Sequence, residues 1–163
     1  MKTISIKQPW ASLICTSRQE NPNLGIKDIE NRTWPTKFRG RVLVHASAKF
    51  DYSIFSVDTD SEKWESFTKT SNYPTGAIIG SVEIVDYVIN YPSIWAEGTF
   101  FPIDDSEGYP PKQIIYNWVL ANPVLFAKPI PAKGKLSFWD FPMTEHEYLN
   151  HEKIGNPLMP ELQ

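Results

Sequence analysis

An α+β fold is what this sequence predicts: a small β-barrel of mixed, mostly antiparallel strands with helices packed against it. Three observations carry the expectation. Strand-length runs rich in β-branched residues recur along the chain, few segments have helical spacing, and fourteen Pro stand against eight Gly among 163 residues. Many short elements joined by turns account for all three. With 41% hydrophobic and 21% charged residues the composition is that of a chain with a packed core.

The elements follow in order. TISI (3–6) reads as a strand. The Gln-Pro at 8–9 starts a helix, because a first turn does not need the donor that Pro lacks. The apolar run Ala11, Leu13, Ile14 continues that helix, and NPN (21–23) closes the segment. Residues 27–33 alternate, which as a strand puts Asp28, Glu30 and Arg32 on one face and Lys27, Ile29 and Asn31 on the other. RVLVHA (41–46), after Gly40, is a buried strand. TDSEKWESFTKT (59–70) is a short amphipathic helix with Trp64 and Phe67 on one side and caps offered by Asp58, Thr59, Asp60 and Ser61. GAIIGSVEIVDYVI (76–89) is a long strand whose Gly80 suggests a bulge or a bend. A long connection covers 90–112. Two strands, YNWVL (116–120) and VLFAKP (124–129), are expected on either side of Ala-Asn-Pro, and KGK (133–135) turns the chain into LSFWDF (136–141). Residues 1–141 make one domain, and the polar 142–163 a tail or peripheral helix.

Net charge is −3, yet residues 1–50 carry nine Lys and Arg against three acids, and 51–163 seven against sixteen. A basic third can form a local footprint for phosphates on an acidic protein. The start MKTISIKQPW lacks the pattern of a signal peptide, and no run approaches the length of a membrane span, so a cytoplasmic location and no membrane partner are expected. Cys15 is alone, and His146 and His151 are five residues apart, so no disulfide and no metal site are expected. No cofactor is implied.

Four ordered blocks carry a family resemblance: ISIKQPWASLI (4–14), GIKDIENR (25–32), RGRVLVHAS (39–47) and YPTGAIIGSVEIVD (73–86), with WVLANP (118–123) after them. Together they resemble the ASCH (activating signal cointegrator homology) domain over roughly residues 3–141. The resemblance implies a PUA-like fold, a small twisted barrel with flanking helices and a cleft on one side. It also implies binding of RNA or of single-stranded nucleic acid, or of a nucleoside. By the same resemblance Lys27, Glu30 and Arg32 point into that cleft, which requires Lys27 to leave strict strand alternation after Gly25.

Those residue types suit a nucleotide. Lys and Arg attract phosphate or carbonyl oxygen, a carboxylate accepts from an exocyclic amino group, and Trp10 or Trp34 offers a face for an unpaired base. Lys37, Arg39 and Arg41, around the Gly40 turn, are the candidates for phosphate contacts at the rim. His45 and Ser47 lie where the 41–46 strand ends beside the cleft. Packing in the core is the plainer role for Trp10 and Trp34, and a solvated loop for the Lys37–Arg41 turn. Amidohydrolase members of the family resemble the chain at Gly-x-Lys but use a Thr three residues after the Lys, where this sequence has Glu30. Their mechanism therefore does not transfer. A metal-free hydrolysis of an amide, as in acetylcytidine, or of a phosphodiester, with Lys27 beside Arg32 as base and Glu30 orienting a water, is the catalytic alternative. The aromatics of 91–118 would serve a third class, a protein-interaction module.

Overall fold

The computed structural model describes residues 1–56, 61–70, 73–101 and 113–155. Their elements are β1 (Lys2–Gln8), α1 (Trp10–Cys15), β2 (Ile29–Arg32), β3 (Gly40–Phe50), a 3-10 turn (Tyr52–Phe55), α2 (Ser61–Lys69), β4 (Ala77–Val88), β5 (Tyr116–Pro131), β6 (Phe138–Asp140) and α3 (Glu145–Gly155). Residues 102–112 of the expected long connection, and the expected caps Asp58, Thr59 and Asp60, lie outside the described residues. No helix among the described residues is long and apolar enough to cross a membrane.

The strands form one six-stranded sheet in the order β2-β5-β4-β3-β1-β6. Only β1 and β3 run parallel, and the other neighbours are antiparallel. The class is α+β, as expected, but the sheet does not close into a hydrogen-bonded barrel: β2 and β6 are its two edges. Side chains bridge them instead. Trp118 on β5 stacks on Phe138 of β6 with centroids 5.4 Å apart, Trp34 meets both rings edge-on, and Arg32 Nη2 of β2 donates to Ser5 O of β1 at 3.1 Å.

Two irregularities bend the sheet. The register shifts around Gly80, where an added Cβ would collide with the Val124 carbonyl and lie 3.1 Å from Cys15 Sγ. Glycine is needed there for close approach of the backbones. The second corrects the sequence reading, which broke 116–129 into two strands at Ala-Asn-Pro. β5 runs through it, with Asn122 at φ 50°. Asn tolerates that conformation, and Pro123 sits at the resulting bulge, where no ladder donor is required.

The core lies between the sheet and α1: Ile4, Ile6, Ala11, Ile14, Val42, Val44, Ile79, Val82, Ile84, Trp118 and Leu120 are all buried. Cys15 belongs to it, and burial pushes its thiol far above the ordinary range. On the other face α3 covers Leu43, Ile78 and Phe126 with Tyr148, whose hydroxyl is 2.8 Å from Ser81 Oγ. Thr144 and Glu147 cap that helix reciprocally, each side chain bonding the other's backbone N–H.

Candidate nucleotide cleft

The site starts with the turn before β2. Gly25 packs so closely on α1 that a Cβ would strike the Ile14 carbonyl. The backbone N–H groups of Ile26 and Lys27 then donate to Thr16 O and Leu13 O, at 2.8 and 3.0 Å, using carbonyls left free at the helix end. Because β2 begins only at Ile29, Lys27 is outside the ladder and its side chain turns back across the strand. Its Nζ donates to Ile29 O at 2.6 Å and to Glu30 Oε2 at 2.9 Å, and it lies 5.7 Å from the centre of the Trp10 ring. Glu30 Oε1 is 3.3 Å from Arg32 Nη2. Glu30 thus stands between the two cations. The neighbour that meets the Lys27 amine is a carboxylate, not the guanidinium that the catalytic alternative placed beside it.

Asp28 does not share this face, as strict alternation had it. It lies ahead of the ladder, pairs with Arg18 at 3.0 Å and accepts from Ser93 Oγ at 2.6 Å, on a second, smaller hollow.

Around the triad opens a cleft of about 1060 Å³, which Trp10, Lys27, Glu30, Arg32, His45 and Ser47 all line. Trp34, Lys37, Arg39 and Arg41 do not. Trp34 packs into the aromatic seam between the sheet edges, accepting at its backbone carbonyl from Trp118 Nε1. Lys37 is exposed away from the cleft. Arg39 pairs with Asp86, and Arg41 with Glu83 and Ser81 Oγ. Arg41 precedes His45, the first cleft residue on β3, by four positions, which at strand rise is about 13 Å. Nearness in sequence to the triad is what made these basic residues look like its rim.

The rim cations come from elsewhere. Lys7, Lys49, Lys63, Lys133 and Lys135 join Lys27 and Arg32, against Glu30, Asp51 and Glu97. Among the described residues, seven of the chain's 16 Lys and Arg therefore line this cleft but only three of its 19 acids. The sequence signal for Lys133 and Lys135 was the KGK turn, read as punctuation only. Trp95, buried and donating from Nε1 to Ile26 O, forms the wall behind Trp10, the two rings meeting edge-on at 6.0 Å.

Two buried side-chain polar atoms have no hydrogen-bond partner among the described residues, Arg32 Nε and His45 Nδ1, and both residues line this cleft. The His45 ring is 2% exposed and its Nε2 is 2.9 Å from Ala132 O. A carbonyl only accepts, so Nε2 carries a proton. Gly134 packs against the same ring, where a Cβ would strike it.

Asp51 holds Trp10 in place, accepting from its Nε1 and from Ser53 N, each at 3.0 Å. Partial burial pushes its carboxyl up, but the hydrogen bonds from Trp10 and Ser53 and the charge of Lys7 outweigh this and leave it below the ordinary value. A depressed carboxylate stabilises the fold above its unfolded pKa and loses that contribution as pH falls through the folded value. Between about pH 5 and pH 2 the wild type should therefore lose more stability than Asp51→Asn, as read from urea midpoints at each pH.

The family model described as ASCH domain matches residues 4–130. Activating signal cointegrator 1 of Homo sapiens is 26% identical over 151 residues, covering 88% of this chain and 23% of its own length. The Mus musculus protein of the same name is 25% identical over 154 residues, with the same coverage. The chain thus spans about a quarter of the length of these relatives. With most of its length matched by the family model, a sheet-and-helix core of the expected class and the Gly25–Arg32 motif at the floor of a basic cleft, the chain belongs to the ASCH domain family.

Proposed function

We propose that this protein binds single-stranded nucleic acid, RNA foremost, and seats one nucleotide in the cleft built on Lys27, Glu30 and Arg32. The observation that carries the reading is the charge segregation. A chain of net −3 gathers seven cations and three acids around one concavity, and such focusing favours a polyanion. Ligand pockets span about 300–1000 Å³, so the volume accommodates a nucleotide with part of the adjoining backbone. Lys133 and Lys135, exposed on the loop beside His45, contact phosphates. Trp10 supplies a ring face. Arg32, whose part-exposed guanidinium lines the cleft, offers planar donors to the edge of a base.

The test is fluorescence anisotropy with short single-stranded RNA and DNA over a range of salt. Binding should weaken steeply as salt rises. Lys133→Glu combined with Lys135→Glu should weaken it on every sequence and flatten the slope of log K against log salt by about 1.4, roughly 0.7 per lost phosphate contact on a single strand. Arg32→Lys keeps the charge but not the planar donor, so it should alter base preference and leave the slope nearly intact. Salt-insensitive association, or none with either polymer, would remove the proposal.

A further inference from the structure

Beside the cleft six rings form a connected cluster, Phe50, Tyr52, Phe55, Trp64, Phe67 and Tyr73, with centroids 5.1–6.4 Å apart. Packing explains half of it. Phe50 and Phe67 lie against the buried group of Leu13, Ile29, Ile54 and Trp95, and the Tyr73 hydroxyl donates to Phe67 O. It does not explain Tyr52, 72% exposed, Phe55, 48% exposed, or Trp64, 44% exposed. Contiguous exposed apolar surface on a soluble fold marks a place where something binds.

Three features say what. The first is continuity. Tyr52 and Phe55 sit on the 3-10 turn whose Ser53 and Ile54, with the following Ser56, form part of the cleft wall, so one turn borders both the cleft and the rings. The second is charge. Lys49 is exposed at this edge of the cleft, while Asp51, the acid of residues 49–56, has its carboxylate engaged by Trp10 and Ser53. Among the described residues Lys49 has no ion-pair partner, so a phosphate passing along the turn meets an available cation and a committed anion. The third is the kind of apolar group. Among the described residues from 49 to 69, every exposed large apolar side chain is aromatic. Phe50 and Phe55 lie within 23° of parallel, and Tyr52 is tilted 30° from Phe55. Flat rings beside a basic groove form a stacking platform for bases.

We infer that Tyr52 and Phe55 form a second base-stacking site, which takes the nucleotide adjacent to the one in the cleft. The protein then grips an unpaired strand over at least two nucleotides. This rests on the nucleotide reading of the cleft, and the experiment separates the two. Affinities are measured for the four nucleoside 5′-monophosphates and for mixed-sequence hexanucleotides of RNA and DNA. The variants are Tyr52→Ala, Tyr52→Phe and Phe55→Leu, with thermal unfolding as the folding control. Wild type should bind a hexanucleotide at least about tenfold more tightly than any mononucleotide, and Tyr52→Ala should lose about tenfold on the hexanucleotide alone. Tyr52→Phe should keep the affinity, because the ring and not the hydroxyl makes the contact. Mononucleotide binding with a hexanucleotide affinity that Tyr52→Ala leaves unchanged would overturn the second site and leave the cleft standing. Failure of wild type to bind either probe would overturn the cleft reading and this inference with it. A dimer in sedimentation that Tyr52→Ala turns into monomer would instead make the rings a contact between copies, and the inference would fall.

Discussion

Glu30→Ala should lower the unfolding free energy by about 3–5 kcal/mol, the usual cost of stripping one partner from a buried ion pair. Glu30 stands between Lys27, whose side chain is 4% exposed, and Arg32. Without the carboxylate, two cations face each other across a partly dry floor, and among the described residues Lys27 keeps Ile29 O and the Trp10 ring for its charge. Lys27→Met should cost distinctly less, because Glu30 retains Arg32 at 3.3 Å and the new side chain is apolar where the old one was buried. Urea unfolding of the two variants at neutral pH reads the difference. Equal losses, or a Glu30→Ala loss under about 1 kcal/mol, would mean that water reaches the triad and screens it.

Trp118→Ala should cost about 3–5 kcal/mol as well, for a reason rooted in the open sheet. No strand ladder joins β2 to β6. Trp118 is 1% exposed, stacks on Phe138, meets Trp34 edge-on at 4.6 Å and carries the Arg32 guanidinium 5.9 Å from its centre. Removing the ring opens the seam and frees Arg32, so the melting temperature should fall by roughly 10 °C and nucleic-acid affinity should fall with it. Trp118→Phe keeps a stacking ring and should recover most of both. A Trp118→Ala protein that melts near wild type would show that the seam is held by other contacts.

Much of this PUA-like α+β fold is legible in residue order. The β-branched runs at 41–46 and 76–89 are strands, Gly80 is a bulge, and the Gln-Pro at 8–9 precedes α1. Barrel closure was not legible, because it depends on whether two distant edges meet through backbone or through rings. The single β5 was also hidden. Ala-Asn-Pro reads as a break by local chemistry, yet pairing with β4 on both sides carries the strand across it.

The cleft divides in the same way. The Gly25–Arg32 motif marks its floor, and Trp10, His45 and Ser47 join it, but the rim had to come from loops far along the chain. Arg39 and Arg41 looked like phosphate ligands because they are basic and near in sequence, and cross-strand acids neutralise them instead. Lys133 and Lys135 looked like turn residues, and Ser5 and His45 hold their loop against the cleft through Lys135 O and Ala132 O.

Local order thus settles roughly where most strands lie and which side chains can carry charge or stack. It does not settle which of them face one another. The direction of Lys27 follows from where β2 starts, and that start depends on hydrogen bonds the Gly25 turn makes to the end of α1. Long-range pairing places residues separated by a hundred positions side by side, so the sign and shape of a cavity are properties of the packed sheet, not of any segment within it.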